Sequence, residues 1–150
     1  MKIDYFTIPE ITVSYKDTVK NSERAVVTCS ADVAKIFTEA CKGCMDHHEE
    51  VYALFLNRAN RVLGISNIAK GGFSSSVIDI RIILQTALIV SASAIMLSHN
   101  HPSGSIKPSK QDLDITKQVQ KGCEAIGIQL LDHVIVTSET YTSFADSGLL

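Results

Sequence analysis

The chain has 150 residues, of which 45% are hydrophobic and 20% charged, and its formal net charge is −2. This length matches one typical domain, which buries about 70% of the surface of its unfolded chain. The lysines and arginines are scattered along the chain, so direct DNA binding has only weak support. No apolar run reaches the length that spans a bilayer, and no membrane partner is therefore predicted.

The predicted strands and helices alternate along the chain. Two N-terminal strands (3–8 and 11–15) make a short β extension within about 1–25, and a helix follows over 31–42. The later elements are strands over 51–57 and 61–68, a helix over 78–90, a strand over 94–99, a helix over 110–126 and a strand over 129–136. This alternation predicts a layered α/β domain that occupies residues 1–150.

The helix predicted over 78–90 is strongly apolar, and we expect it to be deeply buried. Its apolar residues include Ile82, Ile83, Leu84, Ala87 and Leu88. The Gly- and Ser-rich segment 71–79 before it is typical of a tight turn, with Ser76 capping the helix through Asp79. An anion site at this helix start is the alternative interpretation.

The four cysteines do not complete a structural zinc site. Cys41 and Cys44 have the spacing of a metal-ligating pair. Such a site needs a second pair, which Cys29 and Cys123 do not supply. Reduced thiols are therefore expected, and with a start that does not resemble a signal peptide they predict a cytoplasmic protein.

Two histidines, His99 and His101, follow the apolar run 94–97, which predicts a buried strand. Residues i and i+2 of a strand project to the same face, so both rings can converge on one metal ion. A bare His-x-His pair also occurs by chance, and the Pro-Ser-Gly after it is typical of a simple turn. A carboxylate as third ligand would give the layout of a catalytic zinc with an open position for water.

Ser109 and Asp112 stand at the start of the helix predicted over 110–126. Ser-x-x-Asp is a variant of the capping box, with Ser109 as N-cap and Asp112 at the third helical position. Counting back from the apolar stripe of this helix places Asp112 on the inward face, where a carboxylate needs a positive partner. The stripe consists of Ile115, Val119, Cys123 and Ile126. We favour Ser109 as the cap and Asp112 as a metal ligand.

His-Asn-His-Pro-Ser-Gly over 99–104 and Pro-Ser-x-x-Asp over 108–112 together resemble the signature of RadC-like proteins in the JAB/MPN (JAMM) metalloprotease superfamily. The resemblance extends from about 48 to 146, which is about two thirds of the chain. It implies a three-layer, cytidine deaminase-like fold in which helices flank a mixed sheet. No helix-hairpin-helix module is recognised before the motif, which weakens the DNA-binding role that the family suggests.

The resemblance implies one Zn²⁺ per chain, held by His99, His101 and Asp112. Ser109 matches the serine that hydrogen-bonds the metal-bound water or the developing oxyanion.

The resemblance further implies a glutamate general base at the start of a core strand, where Glu49 and Glu50 are adjacent. Neighbouring strand residues face opposite sides, so at most one of the two can point at the metal. The family pattern favours Glu49, with Glu50 as the reserve.

The implied reaction is hydrolysis of a peptide, isopeptide or related amide bond by a zinc-activated water. The alternative is a non-catalytic module that binds metal or a partner protein in DNA repair or mobile-element functions. Nucleobase deamination is rejected, because zinc deaminases need His-x-Glu followed by Pro-Cys-x-x-Cys, which this chain lacks. The sequence does not specify the protein or peptide substrate or the oligomeric state, and the ligand set also accepts iron, nickel or cobalt.

Overall fold

The computed structural model describes residues 9, 11–71 and 78–150, whose strands and helices form an α/β fold. A short 3-10 helix, Asn21–Glu23, precedes α1 (Ser30–Ala40), β1 (Glu50–Leu56), β2 (Val62–Lys70), α2 (Ile80–Ile89), β3 (Ala94–Asn100), α3 (Lys110–Ala125), β4 (Gln129–Val136) and β5 (Tyr141–Ser143). The described strands form one mixed sheet in the order β2-β1-β3-β4-β5. Within it β3 and β4 are parallel, and the other neighbours are antiparallel.

Helices cover both faces of the sheet and so make three layers. On one face, α1 buries Phe37 against Leu54 and Leu56 of β1. On the other, α2 and α3 pack on Ala53 and Phe55 of the same strand. Complete burial of each such large apolar side chain stabilises the fold by about 1.5–3 kcal/mol. The predicted α/β fold with a flanked mixed sheet is confirmed.

The alternation of side chains in β3 separates the two histidines from the residue between them. Leu97 belongs to the core cluster below α2 and α3, whereas Met96 belongs to the cluster below α1. Continuing the alternation, His99 faces α3, and Asn100 faces the α1 side. Both side chains are completely buried.

The element order predicted over 31–136 is confirmed, and the predicted bounds of β4 agree with the structure. The turn between β1 and β2 is closed by a hydrogen bond from the Asn60 amide to the Asn57 carbonyl. The three-residue strand β5, which the sequence did not predict, pairs with β4 across a short turn. Among the described residues, no helix is both long enough and apolar enough to cross a bilayer.

The strand predicted over 11–15 is wrong, and the one predicted over 3–8 lies outside the described residues. The sequence alternates apolar and polar residues there, yet Ile11 and Val13 are 88% and 71% exposed. Alternation alone does not make a strand, because the backbone also needs a neighbour to complete its hydrogen bonds. The segment touches the domain through Tyr15, whose hydroxyl donates to the Leu63 carbonyl at 2.7 Å.

The prediction that the helix over 78–90 is deeply buried is wrong for most of its surface. In α2 only Ile83 and Ala87 are buried, while Ile82 and Leu88 are 46% and 58% exposed. The helix lies in an outer layer, so one stripe of its surface reaches the sheet. Its N-cap is Asp79, whose carboxylate accepts from the Arg81 amide. The predicted cap, Ser76, lies outside the described residues.

Candidate metal centre

The two motif histidines lie at the end of β3 with their rings in contact. His101 follows the strand directly, and its amide donates to the Val136 carbonyl of β4 at 3.0 Å. The Nε2 atoms of His99 and His101 are 2.9 Å apart. The convergence predicted for a His-x-His pair on one strand face is therefore present in the structure.

The N-terminus of α3 brings Asp112 to the same point. Asp112 is 1% exposed, and its Oδ1 lies 3.3 Å from Nε2 of His99 while its Oδ2 lies 3.7 Å from Nε2 of His101. The inward face of α3 was predicted correctly at Asp112, Val119 and Cys123, but Ile126 is exposed and Thr116 is buried instead.

Ser109 and Asp112 form a complete capping box. The Ser109 hydroxyl accepts from the Asp112 amide at 3.2 Å, and Oδ2 of Asp112 accepts from the Ser109 amide at 2.7 Å. Capping and metal ligation both need oxygens of the Asp112 carboxylate. In the structure the two oxygens of Asp112 have different partners. Oδ1 is directed at His99, while Oδ2 accepts from the Ser109 amide at the start of α3.

The donor atoms of His99, His101 and Asp112 all lie within 4.8 Å of one another. In the part of the chain that is described, no other group of three or more His, Cys, Asp or Glu donors converges in this way. Two imidazole nitrogens and one carboxylate oxygen are a ligand set that suits Zn²⁺ with further positions left open. These residues could therefore hold a metal ion.

Hydrogen bonds behind the site determine which nitrogen of His99 carries its proton. The Thr116 hydroxyl donates to the Asp112 carbonyl at 2.6 Å, and its oxygen is 2.6 Å from Nδ1 of His133. A carbonyl can only accept, so the hydroxyl proton is committed and Nδ1 of His133 must be the donor to Thr116. Nε2 of His133, 2.9 Å from Nδ1 of His99, is then the acceptor. Neutral His99 thus keeps its proton on Nδ1 and a lone pair on Nε2.

The other histidine is oriented by the loop that follows it. Nδ1 of His101 is 2.6 Å from the Ser105 carbonyl, which can only accept, so in the neutral ring Nε2 again carries the lone pair. Gly104, with φ at 75°, makes the turn that returns this carbonyl to the ring. Two lone pairs that face each other at 2.9 Å repel unless a cation lies between them, and this favours the metal interpretation.

Burial favours the neutral forms of His99 and His133, whereas Asp112 stays ionised. Desolvation lowers the pKa of His99 and lowers that of His133 well below its ordinary value. Desolvation acts to raise the pKa of Asp112, but the hydrogen bond from the Ser109 amide acts against it, and that pKa lies well below its usual range. Neutral imidazoles and an ionised carboxylate are the forms that bind a metal.

The two candidate bases occupy different environments. Glu49, half-buried, lines a pocket of about 310 Å³ together with His101, Ser103, Ser105, Ser109, Gln111 and Asp112. Glu50 begins β1 on the α1 side, and its carboxylate accepts from Tyr52 and Asn67 and contacts His48. Glu49 therefore shares a pocket with His101 and Asp112, and the reserve candidate Glu50 is part of a separate buried cluster.

The cysteine pair is remote from this chemistry. Cys41 and Cys44 are buried free thiols below α1, and burial raises the pKa of Cys41 to about 12. A thiol with so high a pKa is neither a good nucleophile nor a ready metal ligand.

Sequence reasoning missed three residues that shape the site, namely Asn100, Thr116 and His133. Each has its polar atoms within hydrogen-bond reach of a site residue or its backbone. A weak signal existed for His133, since a histidine inside the apolar strand predicted over 129–136 needs a polar partner. Thr116 follows Asp112 by one helical turn, so it shares the inward face of α3.

Comparison with known proteins agrees with the fold. Residues 27–149 match a family model described as the RadC-like JAB domain. A UPF0758 protein of Porphyromonas gingivalis is 44% identical over 103 residues, which are 68% of this chain and 45% of that protein. A UPF0758 protein of Salinibacter ruber is 36% identical over 132 residues, 87% of this chain and 55% of the relative. The chain spans about half the length of the curated relatives it matches.

Proposed function

The chain belongs to the RadC-like JAB domain family, and we propose that it is a zinc-dependent hydrolase of peptide, isopeptide or related amide bonds. The observation that carries the proposal is the convergence of His99, His101 and Asp112 within 4.8 Å. The hydrogen bonds of both rings direct lone pairs at the point where the donors meet. When bound there, zinc would polarise a carbonyl and supply a water-derived nucleophile near neutral pH.

Glu49 is the proposed general base. It lines the same pocket as His101 and Asp112, where a carboxylate can take a proton from the attacking water and pass it to the leaving amine. Glu50 is less suited, because its two oxygens are already engaged by neighbouring donors on the α1 side.

Ser109 is the proposed donor to the oxyanion. Its oxygen accepts from the Asp112 amide, and a hydroxyl that accepts a hydrogen bond can also donate its own proton. The hydroxyl lines the pocket and can direct this proton at an oxygen that becomes negative in the transition state. A single well-placed donor of this kind contributes about 10²- to 10³-fold in rate.

Elemental analysis after purification, followed by a screen of peptide and isopeptide substrates, tests the proposal. We expect about one zinc per chain and turnover that falls by about 10²-fold or more in Glu49→Gln. Glu50→Gln is the matched control, because it changes the adjacent carboxylate on the other face of β1. Activity lost in Glu50→Gln but kept in Glu49→Gln would reverse the choice of base.

The screen also separates the proposal from its alternative. Zinc bound at full stoichiometry without turnover of any amide substrate would favour a metal-binding or interaction module. A purified protein that takes up no zinc, or whose zinc survives loss of His99 and His101, would contradict the site itself.

A further inference from the structure

Asn100, the residue between the two histidines, sends its side chain to the opposite face of the sheet, where it is completely buried. Its Oδ1 accepts from the Glu50 amide at 2.8 Å, and its Nδ2 donates to the His48 carbonyl at 2.8 Å. These are the two peptide groups on either side of Glu49. One carboxamide therefore holds the backbone of that residue from both ends.

The position of Asn100 in the sheet explains why a side chain is needed there. The antiparallel ladder between β1 and β3 has Val51 opposite His99 as its last pair. Continuing the register would place Glu49 opposite His101, but in the described part of the chain the backbone pairing of β1 with β3 ends at Val51 and His99. The Asn100 carboxamide, which has the donor and acceptor of a peptide group, continues the ladder in place of the backbone.

Two more bonds fix the amide itself. Nδ2 of Asn100 shares its second proton between the carbonyls of Cys44 and Met45, at 3.2 and 3.0 Å, in the segment that leads into β1. On the other side of β1, the Gly71 amide donates to the Glu49 carbonyl at 3.0 Å. The backbone of Glu49 is thus bonded on both sides, to Asn100 and to the end of β2.

We propose that Asn100 is a positioning residue that holds Glu49 against the metal ligands. The role of Glu49 in this inference rests on the proposed function. The hydrogen bonds between Asn100 and the backbone on either side of Glu49 do not depend on that function. Because Asn100 lies between His99 and His101 in the chain, any shift of the ligand pair is passed to Glu49 through one short side chain. The carboxylate then keeps its distance from the metal-binding atoms with little reorganisation.

The test is a double-mutant cycle on Zn²⁺ affinity, measured by competition with a chromophoric chelator. A carboxylate held near the cation strengthens its binding, so Glu49→Gln should weaken Zn²⁺ affinity by about tenfold in the native chain. In Asn100→Ala, where Glu49 is no longer held, the same substitution should change affinity by less than about twofold. Equal effects in both backgrounds would overturn the proposal.

A second readout needs no metal, which separates failure of this inference from failure of the proposed function. Amide hydrogen exchange in Asn100→Ala should become about tenfold faster at Glu50, which loses its acceptor. Exchange should also become faster at Gly71. Its amide donates to the Glu49 carbonyl and not to Asn100, so its exchange rate depends on the position of the Glu49 backbone. Unchanged exchange at Gly71 would show that Glu49 stays in place and would overturn the proposal even if zinc does not bind.

Asn57→Ala is the matched control. Asn57 also uses its side chain to bind two backbone amides, those of Ala59 and Arg61, in a turn outside the metal site. It should leave the effect of Glu49→Gln unchanged. If Asn100→Ala does not fold, Asn100→Ser replaces it in both measurements. Failure of both variants to fold would also overturn the proposal, because Asn100 would then serve the fold as a whole.

Discussion

The two faces of the sheet at the junction of β1 and β3 carry polar clusters of opposite design. On the α3 side, His99, His101 and Asp112 converge with donor atoms that face one another. On the α1 side, Glu50 is surrounded by Tyr52, Asn67, His48 and Lys70, which supply its donors. The first cluster could hold an added cation, whereas the second is satisfied by its own residues. The candidate metal site and the Glu50 cluster thus lie on opposite faces of the sheet, and the neighbouring residues Glu49 and Glu50 belong to one each.

The largest effect should follow from damage to the first cluster. Replacing His99 and His101 together by Ala removes two of three donors, so the bound zinc should fall from about one per chain to near zero. Metal content by elemental analysis measures this. His47→Ala plus His48→Ala is the matched control, since these residues are on the other face and should leave the metal in place. Retention of zinc in the first double variant would contradict the site.

Damage to the second cluster should cost stability rather than metal. Glu50→Ala removes the acceptor of the Asn67 amide and one of the two acceptors of the Tyr52 hydroxyl, and we expect a loss of about 1–3 kcal/mol in the free energy of unfolding. Urea denaturation at pH 7 measures it. Glu39→Ala, at an exposed ion pair with Lys42, should cost much less. Loss of zinc in folded Glu50→Ala would break the proposed separation of roles.

The same carboxylate predicts a pH dependence. Burial acts to raise the pKa of Glu50, but hydrogen bonds from Tyr52 and His48 and the charge of Lys70 outweigh it and lower the pKa from 4.5. The unfolded chain then binds the proton more readily, so the contribution is present above about pH 4.5 and is lost as the pH falls through the folded pKa. Glu50→Gln should show a smaller loss of stability than the native chain over this range. Parallel losses in both proteins would assign the acid sensitivity to other groups.

A smaller effect should come from the hydrogen bonds behind the metal ligands. Thr116→Val removes the acceptor for His133, so the proton of His99 is no longer confined to Nδ1, and Zn²⁺ affinity should fall by about 10- to 100-fold. Chelator competition measures the affinity. Thr116→Ser keeps the hydroxyl and should bind nearly as the native protein does. Equal affinities in the Val and Ser variants would show that the tautomer of His99 does not depend on the hydrogen bonds from Thr116 through His133.

The smallest effect should follow from loss of the helix cap. Ser109→Ala removes the acceptor of the Asp112 amide and should lower the free energy of unfolding by about 1 kcal/mol. Zinc content should stay the same, because Asp112 still accepts from the Ser109 amide. Thermal denaturation measures the change. A Ser109→Ala variant that folds normally but loses zinc would assign the hydroxyl a direct part in holding the metal.

Local periodicity was sufficient to predict much of this arrangement. The i, i+2 spacing of His99 and His101 and the helical spacing of Asp112 from the apolar stripe each depend on one element, and both agree with the structure. The strand at 11–15 and the burial of α2 were wrong because each depends on what packs against the element, which spacing does not contain. Asn100 and His133 were missed for the same reason, since their partners lie 34 to 56 residues away.

The metal donors are close together along the chain as well as in space. His99, His101 and Asp112 fall within one strand, one loop and the first turn of one helix, whereas Glu49 directly precedes β1. Closing so short a loop costs little entropy, and the cost grows only slowly with length. A chain still assembling could therefore capture zinc with β3 and α3 before β1 docks. The bound ion would then hold β3 and α3 in their native packing before β1 pairs with β3. Refolding should therefore be faster with zinc present than with a chelator.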